Sequence, residues 1–200
     1  MRWIVVLSLV LFMTGCALKP TLAQPTAQMR LGEVDAMRVL AKPLPYVVQV
    51  RPMAGNVDST QLVYQTQEGL RHAYAYHRWE EPLSRQMQRL VVLALAQSEL
   101  FEDVVSTTSK VRPQRVLENS VSAFEQYLLQ DGTSVVRLHV RARVVDVAEN
   151  TSVAHRVFRI EMPVLVQTPT GALEAYNRAF ELWVRELTIW LASLGEPHAS

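Results

Sequence analysis

One cysteine, five histidines and an arginine-rich stretch are the first places to look for chemistry in this 200-residue chain. His72, His77, His139, His155 and His198 form neither HxxxH nor HExxH. His72 and His77 fall on one predicted strand at an odd spacing, so alternation turns them to opposite faces. A single cysteine excludes a Cys-based zinc site, and no metal site is expected. GxSxG, the P-loop and GxGxxG are absent from the sequence. Its seven glycines are too scattered to cradle a phosphate. The acidic pairs Glu80-Glu81 and Glu102-Asp103 sit near element ends and read as solvated caps. No catalytic residue is assigned, and the chain is expected not to be an enzyme.

The cysteine is better explained by its position. Met1-Arg2 is followed by a run from Trp3 to Met13 that is apolar except for Ser8, then by Thr14, Gly15 and Cys16. One positive charge, a short apolar core and small residues at the end predict a secretory signal peptide over residues 1–15. The run is too short for a spanning helix, which takes about 20 residues. Met13-Thr14-Gly15-Cys16 is similar to the bacterial lipobox. Small residues admit the peptidase, and the thiol is the side chain that can carry a diacylglycerol as a thioether. Cys16 is therefore the expected lipidation site, bearing diacylglycerol and an N-acyl chain, and no other cofactor is expected. Ala17, rather than Asp, points to outer-membrane sorting, on its periplasmic face.

Two further sets of side chains can recognise a partner. Arg137, His139, Arg141 and Arg143 alternate with Val136, Leu138, Val140, Ala142 and Val144, which is the strict period of two of a sheet with one buried face. The basic row can contact lipid headgroups or an acidic partner; it can equally be a plain exposed sheet face. Tyr74, Tyr76 and Trp79 can line an apolar groove or pack in the core. With 20 basic and 19 acidic residues, the chain lacks the basic excess that nucleic acid demands.

The elements that must position these residues follow from periodicity. Residues 16–45, with Pro20, Pro25, Pro43 and Pro45, read as the lipidated cysteine and a flexible linker; residues 46–195 read as the periplasmic domain. Strands are predicted over 46–50, 61–65, 70–77 and 101–105. A helix should start near Pro82 and end near Ser98, with Leu83, Met87, Leu90, Val91, Ala94 and Leu95 on its apolar face. Three long strands follow over 115–130, 133–147 and 151–166, the first two joined at Asp131-Gly132. Matching apolar residues sets Leu138 against Ile160 and Val140 against Phe158, which demands an odd or bulged connection near Glu149-Asn150. A last amphipathic helix begins at Pro169-Thr170-Gly171 and runs past Leu191. The expected fold is α/β of the α+β kind, a mostly antiparallel sheet with a long C-terminal meander packed by two amphipathic helices. Exposed edges of that meander leave a homo-oligomer open.

Arg51, Tyr74, Tyr76, Arg78-Trp79 and Glu81-Pro82, in the stretch "AYAYHRWEEPLSRQMQRLVVLAL" and the strand before it, resemble the ABC-type transport auxiliary lipoprotein family, the PqiC-like lipoproteins. The meander and the terminal helix match in order, over about residues 45–192. The resemblance implies an outer-membrane-anchored periplasmic subunit. It would work with an ABC permease and ATPase and an MCE-type periplasmic protein to move phospholipid or another hydrophobic molecule. It brings no catalytic residues, and it raises an interaction role for Tyr74–Pro82. The alternative is an envelope lipoprotein that activates or assembles another machine, such as a cell-wall synthase or outer-membrane assembly.

Overall fold

A computed structural model describes residues 25–35, 37–39 and 43–195. Its strands are β1 (Ala27–Met29), β2 (Leu44–Val50), β3 (Ala54–Gly55), β4 (Gln61–Gln65), β5 (Arg71–Trp79), β6 (Phe101–Ser106), β7 (Arg115–Leu128), β8 (Ser134–Asp146) and β9 (Thr151–Pro163). Helix α1 (Leu83–Gln97) lies between β5 and β6, and α2 (Pro169–Ser193) ends the described chain. The result is a mixed sheet with two helices.

β7 is the hub. It pairs antiparallel with β8 along its length, and parallel with β2, β3 and β4 at successive points on its other edge. β8 and β9 continue the antiparallel meander with Leu138 opposite Ile160 and Val140 opposite Phe158, and the register shifts between Val144 and Val145. The bulge does what the apolar pattern requires: without it, one face of β9 would turn its charged residues inward. β6 pairs parallel with β2, with α1 in the connection between them, and five short ladders are parallel among the described residues.

Both helices cover one face of the sheet. α1 buries Leu83, Met87, Leu90, Val91, Ala94 and Leu95, the stripe its spacing predicts. α2 packs on β8 and β9 and buries Tyr176, Phe180, Trp183, Leu187 and Trp190. Thr168 caps α2 by accepting the Gly171 N–H at 3.1 Å, and Pro169 occupies the first turn, where a missing N–H costs nothing.

Part of the stretch read as linker belongs to the fold. Ala27–Met29 pairs parallel with His77–Trp79. Beyond it the Leu31 N–H donates to Gln86 Oε1 at 2.9 Å and the Gly32 N–H to Asn177 Oδ1 at 3.0 Å. Met29 and Leu31 are buried. The pattern is silent there because three residues cannot show a period; side chains of α1 and α2 hold the segment, not its own propensity.

Gly55 carries a specific requirement. Its φ is +107°, and an added Cβ would run into the Val121 carbonyl oxygen. That close approach seats the Arg51–Gly55 corner on the edge of β7. Gly55→Ala should destabilise the domain by about 2 kcal/mol or more, read as a lower urea midpoint at unchanged slope.

Asp146 closes the meander. It accepts the Glu149 N–H and pairs with Arg115. The Glu149 N–H first, and the Arg115 guanidinium after burial has pushed the other way, hold its carboxyl below its ordinary value. A depressed folded pKa gives stability that is present above the ordinary aspartate range and is lost as pH falls through the folded value. Asp146→Asn should therefore flatten the fall in melting temperature between pH 7 and about pH 3, measured side by side with the unmutated chain.

Candidate functional site

The aromatic segment divides between core and surface. Trp79 is 1% exposed, and its indole meets Tyr176 edge-on at 5.2 Å, with Phe124 on Tyr176 at 4.9 Å. Trp79 is therefore a core residue and leaves the set of candidate partner contacts. Its N–H donates to Thr60 and the next N–H, of Glu80, to Met29, so this corner also holds β1.

Tyr74 and Tyr76 part at an irregularity in β5. Against β4 the register runs from Gln61 opposite Arg78 to Val63 opposite Ala73, so Tyr74–His77 bulges out of the β4 ladder. Period two fails there, and the Tyr74 and His77 rings come to 6.1 Å of each other despite their odd spacing. Tyr76 is 51% exposed. Tyr74 turns back onto the sheet: its hydroxyl donates to Gln126 Oε1 at 2.6 Å, Gln126 Nε2 donates to Ser134 Oγ at 2.8 Å, and Ser134 Oγ donates to Gln167 Oε1 at 2.6 Å. Burial first, then the neighbouring Tyr64, raises the Tyr74 phenol above its ordinary value. The relay ties β5, β7 and β8 to the loop before α2. Tyr74→Phe leaves buried Gln126 short of a donor and should cost about 1–3 kcal/mol, checked by chemical denaturation with Tyr76→Phe as the near-neutral comparison.

The arginine row lies on the outer, helix-free face. Across β7, β8 and β9 its rungs read Glu118–Arg143–His155, Ser120–Arg141–Val157, Ala123–His139–Arg159 and Glu125–Arg137–Glu161. The end rungs hold ion pairs. Arg137 donates to Glu161 at 2.7 Å and lies 3.6 Å from the Tyr127 ring centroid. Arg143 donates from Nε to Glu118 at 2.9 Å, and Arg51 pairs with the same carboxylate at 2.7 Å. In the middle rungs, Arg141, His139 and Arg159 take part in no ion pair among the described residues. The sequence names Arg137, Arg141 and Arg143 as equivalent; the structure separates Arg141 from the other two. Arg159 is a residue the sequence reading passed over, although the Leu138–Ile160 register already sets it opposite His139. Arg51 joins the face through the parallel β2–β7 pairing, which leaves no trace in local sequence.

Among the described residues no group of three or more His, Cys, Asp or Glu is placed to hold a metal ion, and no helix is long and apolar enough to cross a membrane. Cys16 lies outside the described residues.

The model of a family described as an ABC-type transport auxiliary lipoprotein component matches residues 30–188. The chain belongs to this family. It is thus an auxiliary lipoprotein of the cell envelope, and the family is one of transport components rather than of enzymes. The matched span opens at Arg30, inside the segment that β1 brings into the fold. The fold is similar to the crystal structure of a Xanthomonas campestris protein of the DUF330 family, at a TM-score of 0.76 and 19% identity over 84% of this chain and 96% of that one. It is also similar to an uncharacterized protein, at a TM-score of 0.62 and 15% identity over 82% and 99%. No curated protein matches the chain.

Proposed function

We propose that this auxiliary lipoprotein is anchored to the periplasmic face of the outer membrane. There it serves an ABC/MCE-type system that moves phospholipid or another hydrophobic molecule across the envelope. The family match over residues 30–188 carries the reading. The Cys16 thiol would take a diacylglycerol from membrane phospholipid as a thioether, losing its proton and releasing the phosphorylated headgroup, and its amino group, freed by signal cleavage, would take an acyl chain from a phospholipid ester, leaving the lysophospholipid. Each buried methylene adds about 0.8 kcal/mol to such an anchor.

The role is docking, or closing the outer-membrane end of a conduit, rather than bond-making. Two features support it. The helix-free face presents basic groups in mid-sheet that the protein itself does not neutralise, and Tyr76 is exposed on β5. Partners are the permease, the ATPase and the MCE-type protein of the same system. Deletion in the source bacterium tests the reading: the lipid asymmetry of the outer membrane should change and return to normal when the full chain is restored. Unchanged lipid distribution, with the transporter genes intact, would count against it.

A further inference from the structure

The middle of the outer face has the construction of an anion site. Two adjoining cavities, of about 410 and about 380 Å³, share Ser120 and Arg141. The first is walled by Arg51, Arg143 and the Pro52–Ala54 corner, the second by His139 and Arg159. Glu118 is one carboxylate between two guanidinium groups, and Arg141 has none, so the positive charge is in excess. His139 and Arg159 stand directly opposite each other.

We propose that this face binds a phosphate group, with Arg141 as its central donor and Arg51 and Arg143 beside it. Guanidinium groups suit phosphate because their planar N–H pairs match its oxygens two at a time. The phosphate can belong to a phospholipid headgroup or be free. Val157, 46% exposed beside Arg141, offers an apolar shoulder to the former. The inference rests on the transport reading for its biological role and on the cavities alone for its chemistry.

The test uses the full chain extracted in non-ionic detergent, as wild type, Arg141→Ala and Arg85→Ala. Arg85 is an exposed arginine on α1 and removes the same charge elsewhere. Native mass spectrometry reads retained phospholipid, and melting temperature is followed against inorganic phosphate at fixed ionic strength. Retained phospholipid assigns the site to a headgroup. A phosphate-dependent rise in melting temperature without retained lipid assigns it to free phosphate. Either should fall at least tenfold in occupancy or apparent affinity in Arg141→Ala and persist in Arg85→Ala. Equal losses in the Arg141 and Arg85 variants, or no binding of either species to the wild type, overturn the proposal. Binding is read on the protein alone, so an absent transporter partner would sink the transport reading and leave this result standing.

Discussion

Trp79→Ala is expected to lower the unfolding free energy by about 3–5 kcal/mol, a large share of the about 5–15 kcal/mol that a domain has in total. The indole fills the junction of β5, β1 and α2, packed on Tyr176 within a Trp79–Tyr176–Phe124 pile. Tyr176 cannot move in to close the cavity. Its hydroxyl donates to the Val63 carbonyl at 3.2 Å, and its burial pushes the phenol far above its ordinary value. The variant should melt far earlier and lose the N-terminal segment first, because Met29 and Trp79 pair across the β1–β5 ladder. Urea denaturation measures the cost, and hydrogen exchange at Leu31 and Gly32 measures the release. Tyr76→Ala, three residues away in the bulged stretch, should change stability by no more than about 0.5 kcal/mol. A small effect of Trp79→Ala would mean that the indole is not the core residue described here.

Cys16→Ser should move nearly all of the protein from the membrane to the soluble fraction. Serine keeps the shape of the cysteine side chain but has no sulfur to form the thioether. One acyl chain alone holds a protein only marginally, with an association constant of about 10⁴ M⁻¹, so losing every chain leaves no anchor of comparable strength. Envelope fractionation with immunoblotting gives the partition, and an intact mass gives the lipid. Membrane retention of the serine variant at the wild-type level would show that something other than Cys16 holds the domain.

The meander was the most legible part of the fold. Nine residues of strict alternation in β8, from Val136 to Val144, leave one choice of buried face, and the apolar residues of β9 then choose the register and the need for a bulge. The helices were legible for the same reason, since their stripes are long. What failed was short or irregular. β1 has three residues and is held by Gln86 and Asn177 from two helices. The β5 segment breaks its own period between Ala73 and Arg78, so Tyr74, Tyr76 and Trp79 go to three environments that composition cannot tell apart. On the candidate site, the arginine row was visible. The difference between Arg141 and its neighbours was not, because it depends on where Glu118, Glu161 and Arg51 arrive from other strands.

The central claim, that the lipoprotein serves an ABC/MCE-type transporter, is tested most directly by a crosslinked pull-down of the full chain from isolated envelopes, with Cys16→Ser as the unanchored control and partners identified by mass spectrometry. An MCE-type protein or an ABC permease should be enriched with the anchored form. A cell-wall synthase or an outer-membrane assembly machine in their place, with no transporter component, would contradict it.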